Sequence, residues 1–227
     1  EDQLQYSLIE SQGEEKAMRL LHDYRNAFAS SYQEQFDSRN AAQDILIMDA
    51  MTETNDIAMS FYQPVSSTEN ELRFKIFHEN QTLELSDVIP VLEHLGLRVV
   101  SESSHEIRRT DGDFVWLHDF HLQHHFVSEF DIHAVKENFQ AAFAAIWRKR
   151  MDSDPFNRLV LSCGLKWREV VLLRAYACYM RQTLFNFADT YIANALVNHS
   201  SLTRLLIDLF NAKFDPVFNM GIKANKD

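Results

Sequence analysis

The feature that most constrains this chain is a hydrophobic period that changes twice. Up to about residue 51, apolar side chains recur at helical spacing. Ala17, Leu20, Leu21, Tyr24 and Phe28 form one run, and Ala41, Ile45 and Met48 share a second face. Asp37 or Ser38 is placed to cap that second helix. From residue 57 the period drops to two. Ile57, Met59 and Phe61 alternate with Ala58, Ser60 and Tyr62, and Leu72, Phe74 and Ile76 alternate with Glu71, Arg73 and Lys75. Alternation with one charged side predicts antiparallel strands covered on one face only. After about residue 131 the helical period returns and persists. The pattern predicts an α+β protein: helices, a small antiparallel sheet, then helices.

The middle part reads β-β-α-β-β. The loop Pro64 to Asn70 joins the first two strands. Ser86 or Asp87 starts a short helix carrying Val88, Val91, Leu92 and Leu95, with Pro90 tolerated near its first turn and Gly96 at its end. Leu97-Arg98-Val99-Val100 opens a third strand, and Asp111-Gly112 signals a hairpin before Phe114-Val115-Trp116-Leu117. Beyond it, Val135, Phe139, Ala142, Phe143, Ile146 and Trp147 form one stripe, and Asp154-Pro155 is a helix start. Trp167 to Gln182, Asn186 to Asn198 and Ser200 to Phe214 read as helices. Leu202, Leu205, Leu206, Leu209 and Phe210 are expected to form a core face on the last. There is no internal repeat or low-complexity stretch. The charged stretch Lys149 to Asp154 is the best boundary, giving segments 1–52, 53–150 and 151–227.

Composition then excludes whole classes of function. The five glycines are Gly13, Gly96, Gly112, Gly164 and Gly221, too far apart for a G-x-G-x-x-G turn or a P-loop. With 22 Lys and Arg against 33 Asp and Glu, the net charge of −11 disfavours nucleic acid and anionic membranes as partners. The best apolar run, Val170 to Leu173, is broken by Arg174, far short of a membrane span. Cys163 and Cys178 are expected to be reduced, buried and cytosolic. The opening Glu1-Asp2-Gln3 is acidic, is no signal peptide and lacks Met, which suggests a cut or processed chain.

Few residues suggest chemistry. His118-Asp119-Phe120-His121-Leu122-Gln123-His124-His125 has the ligand types for zinc, but a strand would point His118 and His121 to opposite faces. A His-rich strand end is the blander reading. No G-x-S-x-G accompanies the many Ser and His, and neither Cys lies in a catalytic signature, so both read as small buried hydrophobes. Arg174 and Arg181 share a helix face, with Lys166 and Arg168 nearby. They suit an anionic effector or, more simply, intramolecular carboxylates. Trp147, Trp167, Phe185 and Phe187 read as packing residues. The strand-to-helix loop from Glu79 to Leu85 offers a helix N-terminus to a ligand carboxylate, although Glu84 repels one and no Gly lets the backbone approach.

Longer strings say more than their periodicity. Phe156-Asn157-Arg158-Leu159-Val160-Leu161, followed by Gly164-Leu165-Lys166-Trp167-Arg168-Glu169-Val170-Val171-Leu172-Leu173-Arg174-Ala175-Tyr176, resembles the bacterial large NAD-specific glutamate dehydrogenases. So do Tyr24-Arg25-Asn26-Ala27-Phe28 with Tyr32, Glu34 and Phe36; Val88 through Val99; Val115 through Phe120; and Phe214-Asp215-Pro216. Ala29 departs from the pattern, where Pro is expected. The resemblance implies a fragment N-terminal to the catalytic domain. Residues 1–52 would be a helical segment, 53–150 an ACT-like (ferredoxin-like) α/β sandwich and 151–227 a helical domain. It implies a cytoplasmic homo-oligomeric parent enzyme that oxidises L-glutamate with NAD. The catalytic residues and NAD site would lie in a later domain, so no catalytic, cofactor-binding or metal residue is assigned here. Implied partners are the catalytic domain of the same chain, further copies and a small-molecule effector, with no nucleic acid or membrane. An autonomous amino-acid-sensing ACT-like module using the 79–87 loop is the alternative. That loop lacks Gly and the β-β-α-β-β order departs from the usual ACT order, which favours coupling or oligomerisation over sensing.

Overall fold

The structure is a computed structural model that describes residues 2–51, 57–64, 70–124, 131–183 and 187–214. The expectations that fall on Val65–Glu69, His125, Phe185, Asn186 and the string after Phe214 lie outside these residues. In chain order the elements are α1 (Asp2–Gln12), α2 (Glu14–Asp23), α3 (Ser30–Gln35), α4 (Ser38–Asp49), β1 (Ile57–Tyr62), β2 (Glu71–Glu79), α5 (Leu85–His94), β3 (Leu97–Arg108), β4 (Phe114–His124), α6 (Ile132–Trp147), a 3-10 turn (Pro155–Arg158), α7 (Leu159–Ser162), α8 (Trp167–Gln182), α9 (Asp189–Asn198) and α10 (Ser200–Phe214). The fold is α+β, as the change of period predicts. Two compact units result: Glu1–Val88 with Val99–Gln123, and Ile89–Arg98 with His124–Asp227.

The sheet order is β1-β2-β4-β3, with β1 and β4 antiparallel to β2. The hairpin after β3 makes β2 and β3 parallel, with β4 inserted between them. Read cyclically from β2, the order β2-α5-β3-β4-α6-β1 is the β-α-β-β-α-β ferredoxin-like arrangement, entered one strand early. The unusual strand order of the sequence is therefore a shift of the chain's starting point around the same sheet.

The first unit corrects an expectation. Its sheet is buried on both faces, not one. Ile57, Phe61, Phe74, Ile76, Phe120 and Leu122 are buried on one side. On the other, Phe77, Ile107, Val115 and Leu117 join a single core with Leu8, Leu20, Tyr24, Tyr32, Ile45 and Met48 from the N-terminal helices. The supposed solvent side thus carries α1–α4, and Lys75 and Asp119 are 1% and 0% exposed. Alternation identified the two faces but not what covers the charged one, because the covering helices lie far away in sequence.

Local signals hold with adjustments. Asp37 caps α4, its carboxylate accepting from the backbone N–H groups of Arg39 and Asn40, which lowers its pKa. Pro90 is the sixth residue of α5, beyond the first turn, and so denies the Ser86 carbonyl its helical donor. The hairpin turns on Thr110 and Asp111: the Gly112 N–H donates to the Arg109 carbonyl, and Gly112 follows at φ 98°, a conformation that favours glycine.

In the second unit α6 buries Val135, Phe139, Ala142, Phe143 and Ile146, while Trp147 is only half-buried. Asp154 caps the 3-10 turn. The helix expected from Asn186 begins at Asp189. The expected core face of α10 is wrong. Thr203 and Ile207 face inward, whereas Leu202, Leu205, Leu206 and Leu209 are 45–65% exposed. Periodicity marked an apolar stripe, but α9 packs on the neighbouring face, where Thr203 donates to the Leu196 carbonyl at 2.8 Å.

Candidate functional site

Among the described residues, the densest polar constellation lies where α3 and α4 meet the charged side of the sheet. Strand β2 turns Arg73, Lys75 and Phe77 to this face, and β4 presents Val115, Leu117 and Asp119. The cap at Asp37 sets α4 so that Asp44, one turn past Asn40, points at the sheet. Its Oδ2 accepts from the Lys75 ammonium at 2.6 Å and the Tyr32 hydroxyl at 2.7 Å, all three side chains being buried. Phe36 covers the ammonium at 3.9 Å from its ring centre. Burial pushes the Asp44 carboxyl above the ordinary carboxylate range, against the pull of Lys75. Tyr32 is raised by the same burial and by Asp44, so it remains a phenol.

A second carboxylate continues the network. Asp119 Oδ2 accepts from Arg73 at 2.8 Å and from the Gln35 amide at 3.3 Å, and burial raises its pKa against Arg73 and Lys75. Asp119 Oδ1 makes no hydrogen bond to a described residue. Gln35 Oε1 accepts from Ser103 and from His105 Nε2, both at 3.1 Å, so His105 holds its proton on Nε2. Burial and the nearby Lys75 charge lower the His105 pKa and keep it neutral. This is a balanced set of two carboxylates and two cations. It clasps helices to sheet and presents no activated nucleophile. Beside it, an open cleft of about 770 Å³ is lined by Tyr24, Arg25, Phe28, Tyr32, Phe36 and Asp37, among others. Phe28, Tyr32 and Phe36 line one wall with tilted rings, their centroids 4.5 and 4.8 Å apart.

The strand-to-helix loop is fastened from below. His118 Nδ1 donates to Glu102 at 2.7 Å, which leaves Nε2 to accept the Leu83 N–H at 3.2 Å. The His78 ring bonds the Gln81 carbonyl at 2.9 Å, and the Asn80 N–H donates to the Phe114 carbonyl at 3.0 Å. The Asn80 and Leu83 N–H groups of this loop are therefore already engaged.

The other candidates disperse. His118 lies on the Phe120 side of β4 and His121 on the other, and among the described residues no three His, Cys, Asp or Glu group to hold a metal ion. Arg174 clasps Asp154 through Nε at 2.5 Å and Nη2 at 3.0 Å, and donates to the buried Asn157. Arg181 pairs with Asp189 at 3.1 Å. The arginine face is therefore intramolecularly paired. Arg150 and Arg168 lie 5.6 and 5.1 Å from the half-buried Trp167 ring. Phe187 is exposed but stacks on Tyr191 at 4.8 Å. Both thiols are free. Cys163 is half-buried, its pKa raised by burial, but Cys178 is exposed on α8, contrary to expectation. Sequence reasoning missed the clasp altogether. Its only local trace is a Lys on an alternating strand and an Asp on an apolar helix, 31 residues apart.

A ferredoxin-like sheet clasped to a helical layer and followed by further helices defines a class of helix-flanked α/β sandwich domains. Residues 7–51, 56–135 and 151–216 match, in order, glutamate dehydrogenase helical motif 2, the glutamate dehydrogenase ACT3 domain and glutamate dehydrogenase helical motif 3. The chain is 39% identical over 220 residues to the NAD-specific glutamate dehydrogenase of Halomonas elongata, spanning 97% of the chain and 14% of that protein. It is 39% identical over 207 residues to the Pseudomonas aeruginosa protein of that name (91% and 13%), and 33% over 209 residues to that of Mycobacterium tuberculosis (90% and 13%). The chain belongs to the family of large NAD-specific glutamate dehydrogenases and spans about 14% of the length of these relatives.

Proposed function

We propose that the chain is a non-catalytic regulatory and architectural segment of a large NAD-dependent glutamate dehydrogenase. The complete cytoplasmic enzyme would oxidise L-glutamate with NAD to 2-oxoglutarate and ammonium. NAD and the reacting residues belong to a catalytic domain elsewhere in the polypeptide. The segment's partners are that domain, further copies in a homo-oligomer and a small-molecule effector. The carrying observation is the Tyr32–Asp44–Lys75 clasp. It joins the N-terminal helices and the sheet into one body, which can pass a displacement from one end to the other instead of absorbing it. The engaged Leu83 N–H favours this reading over autonomous amino-acid sensing at the 79–87 loop.

Deleting residues 1–227 from the complete enzyme is expected to abolish assembly or effector response. Unchanged oligomeric state and unchanged kinetics would refute the reading. The 227-residue chain alone is expected to produce no NADH from glutamate and NAD. Calorimetry of the chain with glutamate, aspartate or 2-oxoglutarate is expected to show no heat, and saturable binding lost in Leu83→Pro would restore the sensing alternative.

A further inference from the structure

Ten of the fourteen exposed large apolar side chains among the described residues fall between 171 and 214. Four of them form a single seam on α10: Leu202, Leu205, Leu206 and Leu209 are 57%, 62%, 45% and 65% exposed. Their spacing of i, i+3, i+4 and i+7 is that of a helix built to pack along another helix. The seam is not the side by which α10 is held, since Thr203 and Ile207 are the buried positions. It continues across Phe210, against which Tyr176 of α8 sets its ring edge-on at 6.2 Å, and Tyr176 is itself 46% exposed. A contiguous apolar patch of this kind on a folded unit marks a surface that is covered in the working protein.

Charge points the same way. Residues 1–150 hold 13 Lys and Arg against 26 Asp and Glu, whereas residues 151–227 hold 9 against 7. The apolar surface lies in the part whose charges nearly cancel, which suits permanent docking better than solvation. The occupant follows from length. The chain spans about 14% of its relatives, so most of the polypeptide lies outside it. We propose that the Leu202–Leu209 seam docks a leucine-faced amphipathic helix of the same polypeptide, outside residues 1–227. The proposal rests on reading the chain as part of that longer enzyme and names the surface by which it is joined.

The test places a photo-crosslinking amino acid at Leu205 in the complete enzyme and maps the joined peptides by mass spectrometry. The expected product is intrachain, linking α10 to an apolar helical peptide outside the segment. Two further variants, Leu202→Asp and Leu209→Asp, are each expected to reduce its yield at least about tenfold, the effect of a misplaced charge at a packed seam. Crosslinks to α10 of a second copy, or no crosslink, would overturn the proposal. This outcome is separate from the deletion experiment above. An intrachain crosslink with unchanged assembly after deletion would retain the surface and discard the regulatory role. Lost assembly without the crosslink would do the reverse.

Discussion

The two compact units handle the wrong kind of residue in opposite ways. The first buries charge: Lys75, Asp44 and Asp119 lie inside, matched to one another and to Tyr32, Arg73 and Gln35. The second exposes apolar surface, with the leucines of α10 turned outward. A buried balanced network adds little net stability but penalises every arrangement that separates its members, so it specifies one docking of helices on sheet. An exposed leucine seam specifies nothing until a partner arrives. The first unit satisfies its buried charges internally, whereas the second leaves its α10 leucines exposed.

That contrast can be broken by substitution. The largest effect is expected for Lys75→Ala, which leaves Asp44 buried beside the Tyr32 hydroxyl without its cation and should cost about 3–5 kcal/mol in urea unfolding of the chain. Adding Asp44→Asn should recover much of that loss, and a cost below about 1 kcal/mol for Lys75→Ala alone would show that the clasp is incidental. Next, α10 offers an internal comparison. Ile207→Ala removes a buried side chain and should cost about 2–4 kcal/mol, whereas Leu205→Ala, two residues earlier, should stay within about 0.5 kcal/mol. Equal losses would mean that the seam is covered within the chain.

Smaller again is Gly112→Ala, which forces a Cβ into φ 98° and should cost about 1 kcal/mol, with no neighbour within 4 Å to add a clash. The smallest effect is one of slope. Because the folded-state pKa of His105 lies below its ordinary value near 6.5, folding keeps the ring neutral. Its contribution is present above that value and lost as pH falls through it towards the folded pKa. Asp44 and Asp119, raised in the fold, act in the opposite sense at lower pH, so stability from them declines as pH rises out of the ordinary carboxylate range. His105→Gln should therefore flatten the stability profile below about pH 6.5, and an unchanged slope would place the ring outside the network.

The legible parts were those governed by neighbours in the chain. Asp37 and Asp154 cap helices through donors two or three residues away, and the bounds of α8 could be read from Trp167 to Gln182. The resemblance in Tyr24 to Phe36 and in Phe156 to Tyr176 pointed to the family through strings of large residues. The clasp was illegible because Tyr32, Asp44, Lys75 and Asp119 come from four separate elements, none unusual in its own element. The loop at Leu83 looked open to a ligand because its fastening residue, His118, lies 35 positions later.

By itself the sequence determined the periods, the caps and the turns, because backbone sterics and hydrogen bonds act within a few residues. Tertiary structure alone decided that the charged face of β2 and the Thr203–Ile207 face of α10 turned inward. Lys75 points inward because Asp44 waits there to match its charge, and Leu205 points outward because α9 meets a different face of α10, at Thr203. Burial is a property of what arrives from elsewhere in the chain, and an amphipathic stripe states only that something must arrive.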